Sequence, residues 1–179
     1  MSRCQYPDAI REVDFARHGE SALVTTQQGA GLKRYFGNTS LDAEKPHEFL
    51  AWKGVIPVMS PDGTVVATLE QNSANSYPSL NVRETLTGKS VVTHNGIDET
   101  KKTGAISFNS FAFSSDSSRL VVGGQTATYL FDLKSATVAR RFDQALANVN
   151  FVGDDKWLCG TTLNSQKMYV LQKIGRAHV

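Results

Sequence analysis

One short phrase returns four times along the chain. An apolar segment runs into a turn rich in Ser, Asp or Gly, and a second apolar run follows. The phrase reads Val13-Asp14-Phe15-Ala16-Arg17-His18-Gly19, then Val58-Met59-Ser60-Pro61-Asp62-Gly63, then Phe111-Ala112-Phe113-Ser114-Ser115-Asp116, then Val149-Asn150-Phe151-Val152-Gly153-Asp154. With Phe15, Met59, Phe113 and Phe151 as anchors, the intervals are 44, 54 and 38 residues. A strand-turn-strand unit recurring about every 45 residues cannot bury its apolar faces alone and must stack on its neighbours.

The third unit is the clearest. Residues 107–113 read as a largely buried first strand, and Ser114 to Ser118 as a turn, because short polar side chains bond nearby backbone and tolerate tight geometry. Residues 119–124 (RLVVGG), 128–133 (TYLFDL) and 137–142 (TVARRF) follow as strands two to four, rich in residues that suit a pleated surface. Unit two repeats the layout over 55–59, 64–69, 79–84 and 89–93; unit one over 22–26, 32–36 and 47–50; unit four over 157–161 and 167–171. Leu41 to Phe49 is the best helical stretch and Pro46 interrupts it. The expected fold is all-β: a partial β-propeller of four-stranded antiparallel blades, three complete and most of a fourth. The expected division is an N-terminal segment or part of a preceding blade over 1–10, then blades over 11–50, 51–105, 106–145 and 146–172. A part-ring with bare blade faces is expected to be poorly soluble by itself.

The tail Lys173-Ile174-Gly175-Arg176-Ala177-His178-Val179 resembles the conceptual translation of a common short-read sequencing adapter. On that reading it stands outside the fold, as an engineered scar would. The chain carries 19 Lys+Arg against 17 Asp+Glu, a net charge of +2. Without Lys173 and Arg176 the two signs balance, so the argument from net basic charge to nucleic acid loses its premise. No apolar stretch of 18 residues occurs, and residues 1–8 lack the apolar region of a secretory signal, so a cytoplasmic protein is expected. Cys4 and Cys159 lie far apart without metal-binding spacing, and Cys159, inside an apolar strand, reads as a small hydrophobe.

Two phrases carry a family resemblance. Met59-Ser60-Pro61-Asp62-Gly63-Thr64-Val65-Val66-Ala67, and Phe113-Ser114-Ser115-Asp116 followed by Leu120-Val121-Val122-Gly123-Gly124, resemble the start of a WD-type repeat. Tyr129-Leu130-Phe131-Asp132-Leu133 stands where such repeats carry Trp-Asp, and Leu86-Thr87-Gly88-Lys89 resembles the turn that follows. The resemblance spans residues 11–172 and is degenerate: neither a Trp-Asp nor a Gly-His dipeptide occurs, so the family's hydrogen-bonded network does not carry over. Val65-Val66-Ala67-Thr68, a polar insertion from Gln71 to Pro78, and Leu86-Thr87-Gly88 also look like the propeller of eukaryotic translation initiation factor 2A and of the related large propeller subunit of initiation factor 3.

Candidate sites are sparse. The two long loops, Gln71 to Pro78 and Asn95 to Ala105, are the expected binding elements, since loops carry function on a rigid scaffold. Asn75 and Tyr77 in the first, with Lys101 and Lys102 in the second, are the candidate binding residues, Tyr77 as an aromatic anchor. The pairs Lys33-Arg34, Lys101-Lys102 and Arg140-Arg141 either contact RNA phosphates or are solvated edge charges. Asp62, Asp116 and Asp154-Asp155 read as turn formers rather than a calcium site. His18, His47 and His94 have no partner motif, no catalytic residue or metal ligand is identified, and no cofactor is expected. The expected role is a non-enzymatic scaffold binding protein partners through the propeller face. Two alternatives stand beside it: an initiation-factor-type propeller contacting ribosome or RNA, and the propeller domain of an enzyme, either a quinone-cofactor dehydrogenase or a peptidase's accessory domain.

Overall fold

The computed structural model describes residues 9–17, 21–28, 31–38, 47–48, 54–70, 79–85, 87–94, 108–124, 126–162 and 168–171. These form fifteen strands in four antiparallel sheets. The first sheet holds β1 (Ala9–Phe15), β2 (Ser21–Gln28), β3 (Gly31–Asn38) and β4 (His47–Glu48). The second holds β5 (Gly54–Met59), β6 (Val65–Glu70), β7 (Ser79–Glu84) and β8 (Ser90–His94). The third holds β9 (Phe108–Phe113), β10 (Arg119–Gly124), β11 (Thr128–Asp132) and β12 (Thr137–Phe142). The fourth holds β13 (Leu146–Val152), β14 (Trp157–Thr162) and β15 (Met168–Leu171). In each sheet every strand pairs with the next in sequence, so each repeat is one meander and the chain is a partial β-propeller. Among the described residues no helix is long and apolar enough to cross a membrane.

Two apolar layers hold the second, third and fourth sheets together, and β10 and β11 serve both. Leu120, Val122, Tyr129 and Phe131 face the second sheet, packing with Ala67, Leu69, Leu80, Val82 and Val92. Val121 and Leu130 point the other way, onto Leu146, Val149, Leu158 and Leu171 of the fourth sheet. Alternate side chains of one strand thus enter opposite interfaces, which is why β10 after Arg119 runs Leu120, Val121, Val122 without a polar residue between them. The first strands of neighbouring sheets lie side by side, β9 against β13, while β12 is exposed from Thr137 to Arg140. First strands are therefore inner and fourth strands outer, as the repeats implied.

Where β9 and β10 meet β13, the approach is close enough to exclude a methyl group. A Cβ on Gly123 would lie 2.2 Å from the Leu146 carbonyl oxygen and 3.0 Å from both Ser110 Oγ and Val149 Cγ1. Here β13 is bulged: its pairing skips from Ala147 to Asn150, and Asn148 takes a left-handed φ of 49°. The bulge releases the Val149 N–H from the ladder, and it donates across the interface to Ser110 Oγ at 3.2 Å.

Strand limits move by a residue or two from the sequence reading, each for a local reason. β6 begins at Val65 because Thr64 is engaged in the preceding turn. β8 begins at Ser90 because the Lys89 N–H is donated to Thr87 Oγ1. β11 stops at Asp132 because the Leu133 N–H donates back to the Ser118 carbonyl. Residues 49–50 and 167, expected in strands, and the tail 173–179 lie outside the described residues.

Candidate interaction surface

The turns joining the first and second strands converge on one face, and the sequence builds two of them identically. Ser60 and Ser114 are buried. Each hydroxyl donates to a carboxylate two residues on, Asp62 or Asp116, at 2.6 Å. Each also accepts the N–H that opens the next strand, from Val65 at 3.1 Å and Arg119 at 2.9 Å. The same carboxylate oxygen accepts the N–H and the hydroxyl of Thr64 (3.0 and 2.9 Å) or of Ser118 (3.0 and 2.8 Å). Ser-x-Asp-x-Thr/Ser is thus a closed hydrogen-bond unit in which the acid accepts from both arms. Thr85 locks the second-sheet turn from behind, its hydroxyl donating to the Gly63 carbonyl at 2.7 Å. The fourth sheet turns differently: Gly153, Asp154 and Asp155 are all left-handed, at φ 59°, 54° and 59°.

These hydrogen bonds set the acidity of the turns. Burial pushes the Asp62 carboxyl up, but donation from Ser60, Thr64 and Ser117 outweighs it and the net shift is downward. At Asp116 the Ser114 hydroxyl is the largest influence, followed by the Ser118 N–H, and its pKa is also lowered. A carboxyl depressed in the folded state stabilises fully above its unfolded value, about 3.9, and that contribution is lost as pH falls through the folded value. Melting temperature is therefore expected to fall as pH drops below about 4, and Asp116→Asn to flatten that dependence relative to wild type. Thermal melts from neutral to strongly acidic pH check this; parallel curves for the two proteins would refute the assignment.

The turns are also stitched to one another across the sheets. The Arg17 N–H, following β1, donates to the Pro61 carbonyl at 2.6 Å. The Asp62 N–H donates to Ser117 Oγ at 3.1 Å. Ser115 donates its N–H (2.7 Å) and its hydroxyl to the Asp155 carboxylate. A continuous rim results, running from the first sheet to the fourth. Within it an open cleft of about 490 Å³ is lined by Phe15, Arg17, Met59, Ser60, Pro61 and Ser115, drawn from three successive sheets. Phe15 is 67% exposed. Its ring and the exposed Arg17 give the cleft an apolar wall beside a cation, among hydroxyls held in fixed orientation.

The binding residues expected from sequence, Asn75, Tyr77, Lys101 and Lys102, lie outside the described residues. The strand ends flanking their loops are described: Glu70 pairs with Ser79 and Leu80 with His94, at the end of the second sheet opposite its Ser60–Thr64 turn. Of the basic pairs, Arg140 lies over the Phe142 ring at 4.8 Å and Arg141 forms an ion pair with Asp143. Lys33 and Arg34 fall within β3. His94 packs edge-on to Phe131 at 5.4 Å between the second and third sheets. Among the described residues no three His, Cys, Asp or Glu side chains are grouped to hold a metal. Cys159 is a half-buried free thiol on β14. The cleft is the element that sequence reasoning missed. Its signal was the repeated Ser-x-Asp turn, read as a turn and not as a surface.

No protein-family model matches the chain, and no curated protein matches it. Solved structures do. The C-terminal WD40 domain of Sif2 superposes with a TM-score of 0.60 at 10% identity, over 91% of this chain and 43% of that one. A eukaryotic initiation factor gives 0.62 at 12% identity, over 96% and 42%. The β-propeller domain of the Trilobed protease from Pyrococcus furiosus gives 0.56 at 17% identity, over 93% and 55%. The chain spans about half the length of these structures. At such identities the likeness shows the fold, a β-propeller in part.

Proposed function

We propose that the chain is a non-enzymatic scaffold, working in the cytoplasm, that presents the stitched turn face to protein partners. One observation carries this reading: a rim hydrogen-bonded across four sheets holds an exposed aromatic and a cation in one open cleft. Such a surface is pre-organised, so a partner segment pays little ordering cost on the receptor side, and aromatic and Arg side chains are the usual anchors of protein contacts. The competing candidates are Asn75, Tyr77, Lys101 and Lys102, in the two long loops whose flanking strand ends lie at the opposite end of the second sheet. The test is selection of binders from a random peptide display library on the intact protein. Enriched peptides are expected to lose at least about tenfold in affinity, roughly 1.4 kcal/mol, on Arg17→Glu and to be indifferent to Tyr77→Ala. The reverse pattern would move the binding face to the loops. A library that yields no enriched binder would overturn the scaffold reading.

The likeness to a eukaryotic initiation factor favours one alternative, contact with ribosome or RNA. It requires affinity for RNA that falls steeply with salt and drops on Lys101→Glu with Lys102→Glu. Weak, salt-insensitive binding would exclude it.

A further inference from the structure

Three residues of the turn-face cleft hold equivalent places in the repeat. Arg17, Pro61 and Ser115 are each the second residue after the first strand of their sheet, which ends at Phe15, Met59 or Phe113. They line the cleft together as a cation, a pyrrolidine ring and a hydroxyl. The middle of this row belongs to the second sheet, whose turn is bonded to a described turn on either side. The cleft therefore does not depend on what adjoins the end sheets. Ser60 and Ser115 each give away their single hydroxyl proton, to Asp62 and to Asp155. No Asp or Glu is among the described lining residues. Among them the Arg17 guanidinium is thus the only charge, and the only side chain with hydrogen-bond protons to spare.

That guanidinium is uncommitted. Arg83 donates to the Gly88 carbonyl, Arg140 lies over the Phe142 ring, and Arg141 pairs with Asp143. Arg119 is within electrostatic reach of Asp116 and Asp132. Among the described residues nothing bonds to or pairs with the Arg17 side chain. The rim carboxylates are in the opposite condition. Asp62 and Asp116 each accept three hydrogen bonds from their own turns, and Asp155 accepts two from Ser115. A free planar fork beside the half-buried Met59 and Pro61 matches a carboxylate that has an apolar neighbour. Taking the scaffold reading as premise, we infer that the cleft receives an acidic peptide segment. One Asp or Glu carboxylate docks on Arg17, and an adjacent apolar side chain covers Met59 and Pro61. A single cation suits a single carboxylate, whereas a phosphate dianion is commonly met by a cluster of arginines and RNA by many cations.

The experiment displays three peptide libraries to the full chain. One fixes Asp or Glu followed by Leu, Met or Phe at its centre, one has Asn or Gln in the acid's place, and one is unrestricted. The best acidic peptide is expected to weaken at least about tenfold when its acid becomes the amide, and by a similar factor on Arg17→Gln. Arg17→Glu should reject that peptide and accept the same peptide with Lys in the acid's place. Recovery by charge exchange is a result that damage to the turn alone would not give. The Arg17 side chain is exposed, so both variants should melt as the wild type does. If Arg17→Glu melts early, the loss on Arg17→Gln decides. Acid and amide libraries that yield equal binders, both lost on Arg17→Glu, would overturn the acidic segment and leave the scaffold reading standing. Binders from the unrestricted library alone would do the same. Acidic binders indifferent to Arg17 would also overturn it. Phosphoserine binding more than about tenfold tighter than Glu at the acid position would give the cleft to phosphopeptides instead. Silence of all three libraries would remove both.

Discussion

Gly123→Ala is expected to destabilise the protein by about 3 kcal/mol or more, at the upper end of the cost of overpacking. The added methyl would sit 2.2 Å from the Leu146 carbonyl oxygen, and a backbone atom cannot swing aside as a side-chain tip can. Relief requires the fourth sheet to move away from the third, which also strains the Val149 N–H donation to Ser110. At this chain length the loss corresponds to roughly 6–12 °C in melting temperature. Gly88→Ala is the control. Nothing lies within 4 Å of a Cβ there, and only the left-handed φ of 68° opposes the change, so about 1 kcal/mol is expected. Thermal or urea melts of the two variants separate a steric cost from a conformational one. Equal losses would mean that the sheets are not in close contact at Gly123.

Phe131→Ala and Leu130→Ala should injure different junctions although the residues are adjacent. Phe131 is 1% exposed and belongs to the layer shared with the second sheet. Truncating it is expected to cost about 3–5 kcal/mol. Leu130 is 2% exposed and belongs to the layer shared with the fourth, where truncation costs about 2–5 kcal/mol. In a stacked-repeat protein a lost contact is felt first by the two units that share it. Native-state hydrogen exchange should therefore show β5–β8 losing protection in Phe131→Ala and β13–β15 losing it in Leu130→Ala. A uniform loss in both variants would mean that the sheets unfold as one unit and that the layered description is wrong.

Much of this architecture was legible in the sequence. The all-β class, the four-strand meander and most strand positions followed from the recurring turn, because Ser60-x-Asp62 and Ser114-x-Asp116 fix both ends of a hairpin through local hydrogen bonds. Other features were hidden for physical reasons. From Leu120 to Gly124 every residue is apolar or glycine, so no alternation shows which neighbour each side chain meets; only the packed sheets divide Val121 from Val122. The bulge at Asn148 leaves no clear mark in Leu146 to Val152. The stitching between turns depends on the backbone N–H groups of Arg17 and Asp62, which any residue but proline supplies, so it has no side-chain signature. The cleft went unseen because it joins Phe15, Met59 and Ser115, each apart by a whole repeat or more. The expected loop anchors Asn75 and Tyr77 fall outside the described residues, and the peptide-selection experiment carries that comparison.

The stitched rim separates what holds the face together from what the face displays. On the turn face, hydrogen bonds of 2.6 to 3.1 Å cross from each described turn to the next. The link between the first and second sheets joins the Arg17 N–H to the Pro61 carbonyl, backbone atoms at both ends. Replacing the Arg17 side chain therefore alters the charge that the cleft offers and leaves that fastening in place.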